Sequence, residues 1–145
     1  MTWRAAFTQL AAISVAGVTR SYDLDDLPGM LPPADLPALV PHFPPQATAL
    51  RGTEGFAPLT YDGAVWHAEL VIDHVLYWGE ASLWQALPGL ITAADAYLEA
   101  VKANPTLGGT LTTELALLEV RPGIMRFGGR PYVGVRFRHQ WQRVL

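Results

Sequence analysis

The sequence predicts an α+β fold in one domain over residues 1–145: an antiparallel or mixed β-sheet with long hairpins, packed against one main helix plus an N-terminal helix. Three observations predict it. Residues 64–78 alternate between two faces over a length unusual for a strand. Residues 80–103 carry apolar side chains at helical spacing. Two further alternating runs, near 111–121 and 131–142, are joined around Phe127-Gly128-Gly129-Arg130. A chain of 145 residues is long enough to bury about two-thirds of its unfolded surface in a single core.

The elements follow in chain order. Trp3, Phe7, Leu10 and Ile13 fall on one side of a helix, so residues 3–13 are expected to open the fold as an amphipathic helix. Gly17 breaks it, and residues 15–22 read as a short strand. Residues 23–29 form an acidic turn. Seven of the twelve prolines lie between 28 and 45. Proline lacks the amide hydrogen and fixes φ, so no long helix or central strand is expected there. Leu36-Pro37-Ala38-Leu39-Val40 can still supply one short edge strand. Leu31, Leu36, Leu39, Val40 and Phe43 anchor the segment, which reads as an ordered, extended wrap.

Tyr61-Asp62-Gly63-Ala64 has the chemistry of a tight hairpin turn, because Asp-Gly tolerates positive φ. In the strand that follows, Trp66, Ala68, Leu70, Ile72, His74, Leu76 and Trp78 share one face. Val65, His67, Glu69, Val71, Asp73, Val75 and Tyr77 share the other. At ~3.3 Å per residue it would span ~50 Å, so it is expected to bend through the sheet or project beyond the domain. In the main helix, Trp84, Leu87, Ile91, Ala94, Leu98 and Val101 form the expected buried stripe. Pro88 either starts that helix or kinks it, and Asn104-Pro105 ends it. In the last strand Val133, Val135, Phe137, His139 and Trp141 face the core. Tyr132, Gly134, Arg136, Arg138 and Gln140 face outward.

Composition narrows the function classes. Half the residues are hydrophobic and 16% are charged, a balance that suits a subunit covered by its neighbours. There is no cysteine, so disulfides, thiolate nucleophiles and cysteine metal sites are excluded. The start of the chain lacks a signal-peptide pattern, and no run approaches the ~18 apolar residues of a membrane span. A soluble protein is expected, with no membrane partner.

The formal net charge of −3 speaks against general nucleic-acid affinity. All thirteen acids lie at or before Glu119, alongside Arg4, Arg20, Arg51 and Lys102. Arg121, Arg126, Arg130, Arg136, Arg138 and Arg143 follow with no acid among them. Ends of opposite sign suit head-to-tail assembly, with Arg126, Arg130, Arg136 and Arg138 as the candidate interface. The alternative is a basic strand beside an acidic one in the same sheet.

No catalytic constellation emerges. His67, Glu69 and Asp73 share a strand face and are the best metal or acid–base trio, but their spacing is loose and a solvated sheet face explains them better. His74 points to the opposite face. His42 and His139 read as structural. Ser14, Ser21 and Ser82 lie outside any nucleophile elbow. Gly108-Gly109 and Gly128-Gly129 lack phosphate-loop spacing. Tyr132, Arg136 and Arg138 fit paired charges better than a nucleic-acid stripe. The chain reads as a non-enzyme without a cofactor.

The order of elements resembles the tail terminator proteins of long-tailed bacteriophages and related small neck proteins. The likeness is one of plan. It is carried by Phe7-Thr8-Gln9-Leu10-Ala11-Ala12-Ile13 with Gly17-Val18, and by Leu36-Pro37-Ala38-Leu39-Val40-Pro41. It continues through Leu87-Pro88-Gly89-Leu90 to Leu107-Gly108-Gly109, and through Tyr132-Val133-Gly134-Val135-Arg136-Phe137. The long wrap over 28–45 departs from a compact version of that plan.

The resemblance implies a homohexameric ring in the virion tail or neck, assembled in the host cytoplasm. Such a ring stops tube polymerisation and joins the tube to the head. Its implied partners are further copies of itself, the tail tube protein, the head-side connector or head-closure protein, and the tape-measure protein. DNA would pass through the bore, and Asp23, Asp25 and Asp26 are the candidates for an acidic lining that repels phosphate. Another neck, head-closure or minor tail protein is the alternative within this class. A cellular peptide-binding module, taking a strand at a sheet edge, is the alternative outside it.

Overall fold

The computed structural model describes residues 2–43, 55–56, 60–62, 65–79 and 82–144, leaving aside the side chains of 55–56, 60–62 and 65–67. The fold is the expected α+β arrangement. Helix α1 (Trp3–Ala11) is capped by the Thr2 hydroxyl, which accepts from the Ala5 amide at 3.1 Å. It buries Ala6, Phe7 and Leu10. The strand expected over 15–22 shrinks to β1 (Arg20–Ser21), because Val15 turns into the core and Gly17 adopts a φ of +84°.

Strand β2 (Ala38–His42) runs parallel to β1 and antiparallel to β5 (Val65–Gly79). The expected edge position is therefore corrected, since β2 has a neighbour on each side. The Leu39 carbonyl accepts from the Tyr22 amide at 2.9 Å, which aims the odd-numbered backbone groups of β2 at β1. Pro41 shares that side but lies past the end of β1, so its missing amide hydrogen breaks no ladder bond. Short strands β3 (Gly55–Phe56) and β4 (Thr60–Asp62) also pair with β5. Asp62 pairs with Val65, while Gly63 and Ala64 of the expected turn lie outside the described residues.

The extreme length of β5 is thus absorbed without projection. β4, β3 and β2 succeed one another along one of its edges, and β7 (Arg130–Val144) follows the other. Strand β6 (Ala116–Phe127) completes the order β1-β2-β5-β7-β6. Gly128 and Gly129, with φ of +57° and +79°, form the two-residue β6–β7 turn, whose backbone requires positive φ at both positions. Where β7 crosses β5, a Cβ on Gly134 would lie 2.1 Å from the Leu76 carbonyl oxygen.

Both helices cover one face of the sheet. Helix α2 (Leu83–Lys102), capped by Ser82, packs on Leu39, Leu76, Val133, Val135 and Phe137. Helix α1 packs on Leu70, Ile72 and Trp141. The buried stripe of α2 is Ala86, Leu90, Ala93, Ala94, Tyr97 and Val101, which keeps Ala94 and Val101 of the expected stripe and corrects the rest. Trp84 is 81% exposed and Ile91 49% exposed, and Leu87 and Leu98 are half-buried. The small residues let the helix lie close to the sheet, and the Trp78 ring packs against Gly89, where a Cβ would come within 2.6 Å. Pro88 lies inside the helix and is exposed.

The opposite sheet face is covered at one end by the segment after β1. Tyr22, Leu31, Val40, Val75, Tyr77 and Tyr132 cluster there, with Met125 and Phe127 of the β6–β7 hairpin against them. The described part of the proline-rich segment, 28–43, carries a 3-10 turn over Pro33–Asp35 and strand β2. Pro44 and Pro45 lie outside the described residues.

Candidate functional site

Three polar arrangements were open to function: the arginines of the last hairpin, the acids after β1, and the histidines. On the sheet face away from the helices, β7 meets carboxylates from both neighbouring strands. Antiparallel register places Asp73 opposite Arg138. The guanidinium donates to both Asp73 oxygens, Nε at 2.8 Å and a terminal nitrogen at 3.1 Å. Arg136 donates to both oxygens of Glu119 at 3.1 Å, and Arg121 shares that carboxylate. Gln140 and Gln142 donate to Glu69 at 3.2 and 3.0 Å.

Of the four interface candidates, Arg136 and Arg138 therefore have carboxylate partners within the chain. Arg126 and Arg130 flank the β6–β7 turn and are exposed. The same ladder engages two members of the His67, Glu69 and Asp73 trio, and the His67 side chain lies outside the described residues. Among the described residues no cluster of three His, Asp or Glu side chains has metal-binding geometry.

The acids proposed to line a bore serve local structure. The Asp23 side chain caps the short 3-10 turn over Leu24–Asp26 and accepts from the Thr8 hydroxyl of α1 at 3.0 Å. Asp26 returns to the Asp23 amide at 2.6 Å and pairs with Arg20. Asp25 pairs with Arg4. These bonds tie α1 to β1, and Asp25 and Asp26 keep exposed side chains beside exposed Leu27.

The histidines form a feature that pattern reading does not reveal. His74 and His139, on adjacent strands, face α2, and Tyr97 reaches between them. Its hydroxyl lies 2.7 Å from Nδ1 of His74 and 2.7 Å from Nε2 of His139. Trp141 closes the series, its Nε1 lying 3.3 Å from Nδ1 of His139. Indole is a donor only, which orders the chain of bonds. His139 accepts at Nδ1 and donates from Nε2 to Tyr97. Tyr97 in turn donates to Nδ1 of His74, leaving the His74 proton on Nε2, a buried atom without a hydrogen-bond partner. Burial pushes the His139 pKa down to about 3 and holds His74 well below its ordinary value. Both rings are neutral at neutral pH, so the arrangement is a polar brace between helix and sheet. The sequence signal was two histidines on apolar faces, each needing a polar partner.

The remaining candidate surface is the open margin formed by β6 and the adjoining side of α2. β6 pairs only with β7 among the described strands. Leu118, Val120 and Ile124 are exposed along it. A shallow cleft of about 360 Å³ separates it from α2, lined by Leu98, Val101, Leu115 and Leu117, with Lys102 and Glu114 at its polar margin.

No protein-family model matches the chain, and no curated protein matches it significantly.

Proposed function

We propose that the chain is a structural subunit of a phage virion, a tail terminator that forms a ring at the head-proximal end of the tail tube. The observation that supports it most is the β6 margin. A twelve-residue edge strand leaves large apolar side chains exposed, and a soluble subunit carries such a surface when another protein is to cover it. The polar groups most suggestive of chemistry are already engaged in bracing the sheet, so the reading assigns no reaction and no cofactor.

On this reading the ring binds the growing tube end more favourably than another tube subunit does, and its far side receives the head connector. Disrupting the gene in the phage and examining lysates by electron microscopy tests it. Overlong tails, or tails without heads, are expected. Tails of normal length joined to heads would reject it.

The same open edge gives a second reading, a module that receives a peptide by strand addition. Solution mass separates the two, since a peptide-binding module has no need to self-associate.

A further inference from the structure

We infer that the β6 margin of one copy seats the β1 margin of a second copy, so that subunits join head to tail. This rests on the ring reading and names the surfaces that would build it. Register places Val120 opposite Phe137, a residue in the core beneath α2. Ile124 stands opposite Val133 in the same way. Both therefore lie on the helix side of the sheet, yet Ile124 is 57% exposed and Val120 is also uncovered.

Helix α2 continues this apolar margin. Leu98 and Val101 line the cleft with Leu117 of β6, which turns that side of the helix toward the edge strand. Ile91, Leu87 and Trp84 precede Leu98 by about two, three and four helical turns, so they share its side. Strand and helix thus both carry exposed apolar side chains on this margin, Val120 and Ile124 on one and Trp84 and Ile91 on the other.

Charge identifies the occupant. Arg121 and Arg126 are exposed on β6, while Glu119, its only acid, is already shared by Arg136 and Arg121. At the β1 margin the sign reverses. Asp23, Asp25 and Asp26 outnumber Arg4 and Arg20 there, with Leu27 exposed beside them. β1 and β6 stand at opposite ends of the strand order, so one copy cannot bring its own margins together. A second copy can, offering an acidic margin with an apolar side chain to a basic, apolar one. Because the two surfaces differ, each contact leaves one margin of each kind free, and repetition closes a ring when the rotation permits. An extended peptide fits less well. Pro122 and the register shift between Leu117 and Glu119 interrupt the edge as a hydrogen-bonding template.

Sedimentation velocity on the full chain, alone and in mixtures, tests the inference. One variant carries Val120→Ser with Ile124→Ser, and the other carries Asp25→Lys with Asp26→Lys. Each alone should associate at least about tenfold more weakly than the unaltered chain. An equimolar mixture should form dimers and stop there, because each dimer contains one intact contact and two spoiled margins. Trp84→Ser, at the most exposed position of the margin, should weaken assembly without moving the thermal midpoint measured at concentrations where the chain is monomeric, so a folding defect in the strand variant cannot mimic the result. If the unaltered chain assembles and all three variants assemble equally well, the surfaces are wrong while the ring reading stands. If the unaltered chain stays monomeric at millimolar concentration, both fall.

Discussion

The Tyr97 hydroxyl lies 2.7 Å from Nε2 of His139, inside the interface between the main helix and the sheet. It holds a second bond of 2.7 Å to His74, and its ring stacks on Phe137 with centroids 3.7 Å apart. One oxygen therefore serves two buried imidazoles. Tyr97→Phe keeps the stack and removes only that oxygen, leaving two buried ring nitrogens without a partner. Each such orphan costs about 1–3 kcal/mol, so the variant should lose about 2–6 kcal/mol in urea unfolding. A loss below about 0.5 kcal/mol would show that the brace is not energetically significant.

The same histidines set a pH dependence. Free histidine titrates near 6.5, whereas burial lowers both His74 and His139 in the native protein, His139 to about 3. As pH falls below about 6.5, the unfolded chain binds protons that the folded chain refuses. Stability should therefore decline on acidification, by up to ~1.4 kcal/mol per pH unit for each ring. His42, lowered mainly by burial against the opposing pull of Asp73, adds in the same direction. The window from pH 6.5 to 5 lies above the ordinary carboxylate range, so it isolates the histidines. Urea midpoints that stay constant across it would contradict the neutral brace.

Helix α2 shows where pattern and packing part. Leu90 is fully buried, and Leu90→Ala should cost about 2–5 kcal/mol. Trp84→Ala, at a far larger but exposed side chain, should change monomer stability by less than about 0.5 kcal/mol. Thermal melts of the two variants decide which face of the helix meets the sheet. The opposite ranking would restore the stripe through Trp84 and Ile91.

Strands β5 and β7 were legible because period-two alternation over fifteen residues has an unambiguous phase. Shifting it by one residue would expose every core side chain. A helix has no such protection. The stripe of large residues through Trp84, Leu87 and Ile91 lies about one residue's rotation from the true one, where Ala86, Ala93 and Ala94 permit close approach. Tyr97, the hub of the buried hydrogen bonds on that face, is polar enough to escape a search for apolar positions. Charge separation along the chain was visible too. Which carboxylate each arginine meets depends on register between strands far apart in sequence, and that information is tertiary.

The pairing of Arg138 with Asp73 braces neighbouring strands from within the subunit. Asp73 is 3% exposed, and both its oxygens accept from one guanidinium. Arg138→Met would leave that carboxylate buried without its main counter-charge, a loss of about 3–5 kcal/mol. Arg126→Gln, at an exposed position where the guanidinium donates to the Gly129 carbonyl at 3.4 Å, should cost less than about 0.5 kcal/mol. Adding Asp73→Leu to Arg138→Met removes both charges and should recover most of the loss, because an apolar pair of similar volume avoids the desolvation penalty. Chemical denaturation of the three variants checks this. If Arg138→Met is as mild as Arg126→Gln, the bidentate pair contributes little to the subunit. Its strand would then be as available for assembly as the hairpin turn.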